Sequence, residues 1–279
     1  MRRATEADVP AIRVFLAKRE VRAMFPLSNL ARFGLDGDFE YAPRMWIAEA
    51  GGAVTDVLTV SKSGAVMPAM PSGDWQAARI ALTGRAVSAV IGPAEECRPL
   101  IAALGLSDAP ATLDRDEPQF ALDLADLVIP DGPGTLHPLG AADAEAMICW
   151  RVDYEIEALG EPPEKAGPSG RDAYETYIAL GSHRVLMAGS TPLATTGFNA
   201  QTDRMVQIGG VYTPPGLRRR GHARRAVALH LAEARAAGKT AATLFAASAN
   251  AARAYVAVGF KPIGNWTLTL LAEPVTIDG

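Results

Sequence analysis

The chain has 279 residues, with 27 Lys+Arg against 31 Asp+Glu, a formal net charge of −4 and 49% apolar residues. At roughly 100–200 residues per domain, this length allows one large domain or two ordinary ones, with enough chain to bury a core without staples. The apolar fraction excludes a disordered chain, the acidic balance argues against a broad nucleic-acid-coating surface, and no window approaches the ~18 uninterrupted apolar residues of a membrane span. Cys97 and Cys149 cannot form a disulfide framework, and the N-terminus threads charges through its apolar residues without a signal core. The expectation is a cytoplasmic protein with neither membrane nor nucleic-acid partner.

Residues 1–4 read as a short extended run, and Thr5 as the cap of a helix whose apolar residues recur at helical spacing. A second helical stretch spans 21–35. Strands follow at 44–50, 54–60 and 65–67, the last after a Ser63-Gly64 turn. Asp74 can cap a helix over 75–84. A strand at 87–91, a helix over 94–104 ended by Gly105, and a strand at 119–124 complete the first half. Residues 130–134 (Pro-Asp-Gly-Pro-Gly) are the densest turn cluster in the chain. After it the pattern restarts. A strand spans 135–139, a helix opens at 140–143 and runs to 159, a loop rich in Pro, Gly and Glu covers 160–170, and a helix covers 171–180. Strands at 183–188, 193–199 and 205–212 lead to a long helix over 221–238, a strand at 240–246, a helix at 250–258 and a last strand at 266–271.

Each half therefore has the same element order, which points to an internal repeat. The pattern Ile101-Ala-Ala-Leu-Gly105-Leu106 aligns with Tyr255-Val-Ala-Val-Gly259-Phe260. The expected domains are 1–132 and 133–279.

Residues 206–223 carry the chemistry. A strand ends at Thr213, a short loop turns, and a helix starts near Gly221. Such a loop presents unpaired backbone N–H groups and the positive end of the helix dipole, which suits a pyrophosphate. Gly221 permits close approach, and five arginines stand within 218–225. A basic run is more often a solvated face or a nucleic-acid patch. The strand–loop–helix setting and the acidic chain favour a phosphorylated cofactor instead. Gly209 and Gly210 inside a strand hint at a bulge or a close ligand approach. The run is neither a Walker A loop nor a GxGxxG fingerprint.

Arg218-x-x-Gly221-x-Ala223 resembles the Gln/Arg-x-x-Gly-x-Gly/Ala signature of the GNAT superfamily of acyl-CoA-dependent N-acyltransferases. Downstream, residues 250–260 are similar to the family's second signature, a helix bearing Tyr and closing on Gly-Phe. The resemblance covers about 134–272 well and the first half only through element order. It implies an α/β (α+β) class with two tandem GNAT-like domains, each a mixed, mostly antiparallel sheet flanked by helices and splayed near its middle. It implies acetyl-CoA as co-substrate, no metal, and direct attack by an amine on the thioester. The pantetheine arm would pair with the backbone of Val211, Tyr212 and Thr213. The pyrophosphate would sit among Arg218, Arg219, Arg220, Gly221, His222, Ala223 and Arg224, with Ser248, Asn250 and Tyr255 also at the cofactor. The Val211 N–H would polarise the carbonyl, and Tyr255 would protonate the leaving thiolate, since a phenol's pKa of ~10 lies above the ~8.5 of the thiol.

There are departures from the family pattern. Ser248 stands where the family often has Asn seven residues before the Tyr, and Asn250 lies two residues late. Gln207 stands where a carboxylate base is common; Asp153, Glu155 and Glu157 are the substitutes. In the first half, residues 67–75 place no arginine before the glycine and set Asp74 where a phosphate would lie, while Ile101 replaces the tyrosine. That half reads as a degenerate, non-catalytic copy. Of the other candidates, Cys149 reads as core, His137 and His183 stand alone, and Tyr174 and Tyr177 read as packing, with lining of the acceptor pocket as their other reading. The acidity of 153–157 and 161–164 points to a cationic amine. A non-catalytic CoA-binding sensor is the alternative.

Overall fold

The computed structural model describes residues 1–279. The chain divides into two compact units, Met1–Glu117 with Gly264–Gly279, and Pro118–Ile263.

The first unit is built from β1 (Arg2–Arg3), α1 (Val9–Ala17), α2 (Glu20–Phe33), β2 (Pro43–Ala50), β3 (Ala53–Ser61), β4 (Ala65–Ala69), α3 (Trp75–Leu82), β5 (Ala86–Pro93), α4 (Ala94–Ala103) and the start of β6 (Ala111–Asp123). The second contains β7 (Thr135–Pro138), α5 (Ala144–Leu159), α6 (Pro163–Leu180), β8 (His183–Ala188), β9 (Thr191–Gln201), β10 (Met205–Tyr212), α7 (His222–Ala236), β11 (Ala241–Phe245), α8 (Ala249–Val256) and the start of β12 (Lys261–Thr276). The element order is the same in both halves, as the sequence implied. One parallel pair stands at the matching place in each, β4 with β5 and β10 with β11, in otherwise antiparallel sheets. The aligned hexapeptides also close their helices alike. Leu106 N donates to Ile101 O at 3.0 Å and Phe260 N to Tyr255 O at 3.2 Å, around the positive-φ glycines Gly105 and Gly259. This six-to-one bond satisfies carbonyls that a helix end otherwise leaves open.

Alternation along the strands sorts the core onto two faces of each sheet. Val57 packs with α1 and α2, and its neighbour Leu58 with α3 and α4. In the second unit Val185 and Met187 face α5 and α6, whereas Leu186 faces α7.

The units do not divide at 132/133. The sheet order is β1-β2-β3-β4-β5-β12-β6 in the first unit and β6-β11-β10-β9-β8-β7 in the second. Thus β12 pairs with β5 from Trp266↔Pro93 to Thr276↔Ala86, and the end of β6 pairs with β11 from Gln119↔Phe245 to Asp123↔Ala241. Each half gives its last strand to the other's sheet, because the apolar side chains there complete that core. Leu271 and Ile277 pack in the first unit, and Phe120, Leu122 and Leu124 in the second. The turn cluster at 130–134 belongs to the second unit, where Arg225 donates to Pro130 O at 2.7 Å and to Gly134 O.

Two local expectations are corrected. Most of 160–170 is helical, as the first turns of α6. Pro163 opens that helix, where a missing N–H costs nothing, and Gly170 lets it lie against α5; a Cβ there would come within 2.6 Å of Val152. Cys149 is exposed rather than in the core.

Candidate functional site

Strand β10 follows β9 antiparallel, with register shifts after Gln207 and after Gly209. Its parallel pairing with β11 covers only Met205, Val206 and Gln207. Beyond Gln207 the strands part, so the 208–212 edge has no strand partner on that side. Asp74 and Ser248 cap α3 and α8 with their side chains, accepting from Ala77 N at 3.0 Å and Ala251 N at 3.2 Å. The N-cap of α7 is Gly221, at φ +81°, with no side chain to cap it. Its first amides therefore lack the partner that the other two helices supply.

The arginines of the loop divide. Arg218 Nε donates to Thr213 O at 2.8 Å and its NH2 pairs with Glu157 at 2.6 Å, while Arg225 holds the 130–134 turn. Arg219, Arg220 and Gly221 are exposed beside the α7 N-terminus, and Arg219 takes φ +62° there. Arg224 is half-buried with Nε unpartnered. His222 is buried, and burial followed by the Arg220 charge lowers its pKa. Ala223 is half-buried on the same turn.

At the other side of the opening, Asn250 accepts from Arg253 within α8. Tyr255 is buried and lies edge-on to Phe260, with centroids 6.1 Å apart. It packs in one cluster with Ile208 and Val211 of β10 and Leu244 of β11. Val211 and Tyr255 thus border the same apolar cluster.

The paired glycines admit side chains of the chain itself. A Cβ on Gly209 would overlap the Asn199 amide, one on Gly197 the His183 ring, and one on Gly210, at φ +59°, would lie 2.6 Å from His183 Nε2. His183 is therefore not isolated. Its ring stacks on Tyr177 with centroids 3.4 Å apart, and its Nδ1 meets Ser182 Oγ at 2.9 Å. Burial, then the charges of Arg151, His230 and Arg184, pushes its pKa well below the ordinary value. Nε2 has no partner.

This ring borders a cavity, open to solvent on one side, lined by Trp150, Arg151, Tyr154, Tyr174, Tyr177 and Tyr212, among others. The two tyrosines of α6 do line it. The three acids of α5 are already engaged. Asp153 accepts from Tyr212 Oη at 3.3 Å, Glu155 pairs with Arg151 at 2.5 Å, and Glu157 holds Arg218. Burial and Asp153 push Tyr212 up to about 12, and burial raises Glu155. Gln207 is buried, donating to Ile208 O. Sequence reasoning missed His183 and Arg151, because their meeting depends on strand register and helix packing. Their nearest signal was the pair of glycines in β10.

No group of three or more His, Cys, Asp or Glu side chains is arranged to hold a metal ion, and no helix is long and apolar enough to cross a membrane. No protein of curated function matches the sequence significantly. Among solved structures, a GCN5-related N-acetyltransferase from Kribbella flavida is 18% identical over 94% of this chain and 95% of that one, with a TM-score of 0.56. A GCN5-related N-acetyltransferase from Sphaerobacter thermophilus is 18% identical over 100% and 96%, with a TM-score of 0.55. A tandem GNAT protein from the clavulanic acid biosynthesis pathway is 15% identical over 98% of both chains, with a TM-score of 0.52. These are likenesses of fold. The sequence model of the Acetyltransferase (GNAT) family matches residues 145–260, a stretch that holds the parted strands, the uncapped helix, Tyr255 and all of the cavity lining but Leu139. Residues 145–260 thus match the Acetyltransferase (GNAT) family model, and the chain has the fold of a tandem GNAT protein.

Proposed function

We propose that the second unit transfers an acetyl or acyl group from CoA to a primary amine by direct attack, and that the first unit binds no cofactor. The observation that carries this reading is the gap between β10 and β11 with the uncapped α7 N-terminus at its mouth. The residues present fit the cofactor. The free 208–212 edge offers backbone groups to an extended amide-bearing arm. The first amides of α7, with Arg219 and Arg220 beside them, suit a pyrophosphate. Acetyl-CoA supplies an activated thioester carbonyl. The Val211 N–H stabilises charge on its oxygen, and the Tyr255 hydroxyl donates a proton to the departing sulfur.

The first unit fills the equivalent place with its own groups. Glu96 accepts from Met70 N at 2.6 Å, Asp56 from Ser72 N at 3.0 Å, and Asp74 occupies the α3 N-terminus.

A CoA-binding sensor without catalysis is the second reading, favoured by Gln207, which cannot accept the amine's proton. Calorimetry with acetyl-CoA tests the site common to both. Arg220→Glu with Gly221→Asp should abolish binding, and unchanged affinity would sink the assignment. Release of CoA thiol in the presence of amines separates enzyme from sensor.

A further inference from the structure

The cavity of the second unit has a charge that the sequence did not suggest. The acids of α5 pointed to a cationic acceptor, yet no acidic side chain is among those that line the cavity. Of these side chains only Arg151 carries a formal charge at neutral pH. A cavity whose one charged wall is a guanidinium disfavours a polyamine and favours a molecule with an anionic group.

Two nitrogens in this lining are buried without a partner, Arg151 Nε and His183 Nε2. Glu155 Oε1 pairs with Arg151 Nη2, and Arg151 lies over the rings of Tyr154 and Tyr177 at 4.5 and 5.3 Å. A guanidinium has five donors in a planar fork, so a second carboxylate still finds N–H groups there. His183 differs. In the tautomer whose Nδ1–H donates to Ser182 Oγ, Nε2 presents a lone pair, the complement of an amine N–H. A ligand that satisfies both nitrogens presents an oxygen acceptor and an N–H donor. The walls are largely aromatic.

We propose that the acceptor is a small amino acid or close analogue with an apolar side chain, its carboxylate on Arg151 and its amine facing His183 Nε2. This rests on the transferase reading above. The neutral amine nitrogen forms a bond to the acetyl carbon and the C–S bond breaks. The proton on nitrogen passes to His183 Nε2 and then to solvent, and the sulfur takes one from Tyr255, which solvent restores. The products are the N-acetyl amino acid and CoA thiol.

Matched pairs differing only in the carboxylate test this in the full chain: L-phenylalanine against 2-phenylethylamine, and L-tyrosine against tyramine, with CoA thiol release as readout. The expected result is a kcat/KM at least tenfold higher for each carboxylated member, with the preference lost in Arg151→Met and partly kept in Arg151→Lys. His183→Gln should lower kcat more than it raises KM. Equal or better use of the decarboxylated amines by the wild type overturns the acceptor class while leaving acetyl transfer intact. Acetyl-CoA binding with no member of either pair acetylated also overturns the acceptor class. Failure to bind acetyl-CoA overturns the transferase reading itself. Should the Arg151 variants unfold, the wild-type comparison still decides, as does a rise in Tm with L-phenylalanine that 2-phenylethylamine does not reproduce.

Discussion

Gly210 lies so close to His183 that a Cβ on the glycine would come 2.6 Å from the imidazole Nε2. Gly210 also holds φ +59°, where side chains are strained. Gly210→Ala should therefore cost about 1–3 kcal/mol for overpacking, plus about 1 kcal/mol for the backbone. In a His183→Ala background only the backbone part should remain. Urea unfolding of the two single variants and the double variant measures the difference as a coupling between neighbours. Simple additivity would show that the contact carries no strain.

Tyr255→Phe keeps the ring that packs edge-on to Phe260 and removes only the hydroxyl. If that hydroxyl protonates the leaving thiolate, turnover should fall by about 10²-fold or more, with acetyl-CoA affinity nearly unchanged. Steady-state kinetics alongside calorimetry read both. A turnover equal to the wild type removes the acid role.

One acetyl-CoA should bind per chain. In the first unit the Glu96 carboxylate already takes Met70 N, and a side chain on Gly92 would meet Cys97 Sγ and Pro68 between the diverging strands. A calorimetric stoichiometry near two would show that this packing yields to ligand.

Stability should fall as pH drops below about 6.5. Burial lowers the pKa of His230 from 6.5 to about 3, and that of His183 also falls well below 6.5. His183 is faced by Tyr177, Arg151, Arg184, His230 and Ser182, none of which offers it a carboxylate. The unfolded chain titrates both near 6.5. Their contribution is thus complete above that pH and is lost on the way down toward the folded values. Each adds up to about 1.4 kcal/mol per pH unit to the slope. Denaturant midpoints at several pH values from 7.5 to 4.5 should fall less steeply for His230→Gln than for the wild type. Identical slopes would mean that His230 already titrates normally.

Much of this molecule is written in local patterns. Apolar spacing, Asp74 and Asp143 at helix starts and glycines at helix ends place the elements within a few residues, because each signal acts over one or two turns. The repeat follows from their order, and the glycine–arginine loop from its own composition. The 160–170 segment reads as a loop because Pro and Gly break helices on average, whereas in the fold Pro163 sits at the permitted first turn and Gly170 is selected by the neighbouring helix.

The sequence by itself thus determined the element order, the family resemblance and the loop beside the α7 N-terminus. The tertiary structure decided which sheet takes each half's last strand, which arginines are free of structural bonds, and that His183 and Arg151 border one cavity. Those outcomes rest on pairings such as Gly197 with His183 and Trp266 with Pro93. The partners are far apart in sequence, so strand register and core packing select them, and no local pattern records that choice.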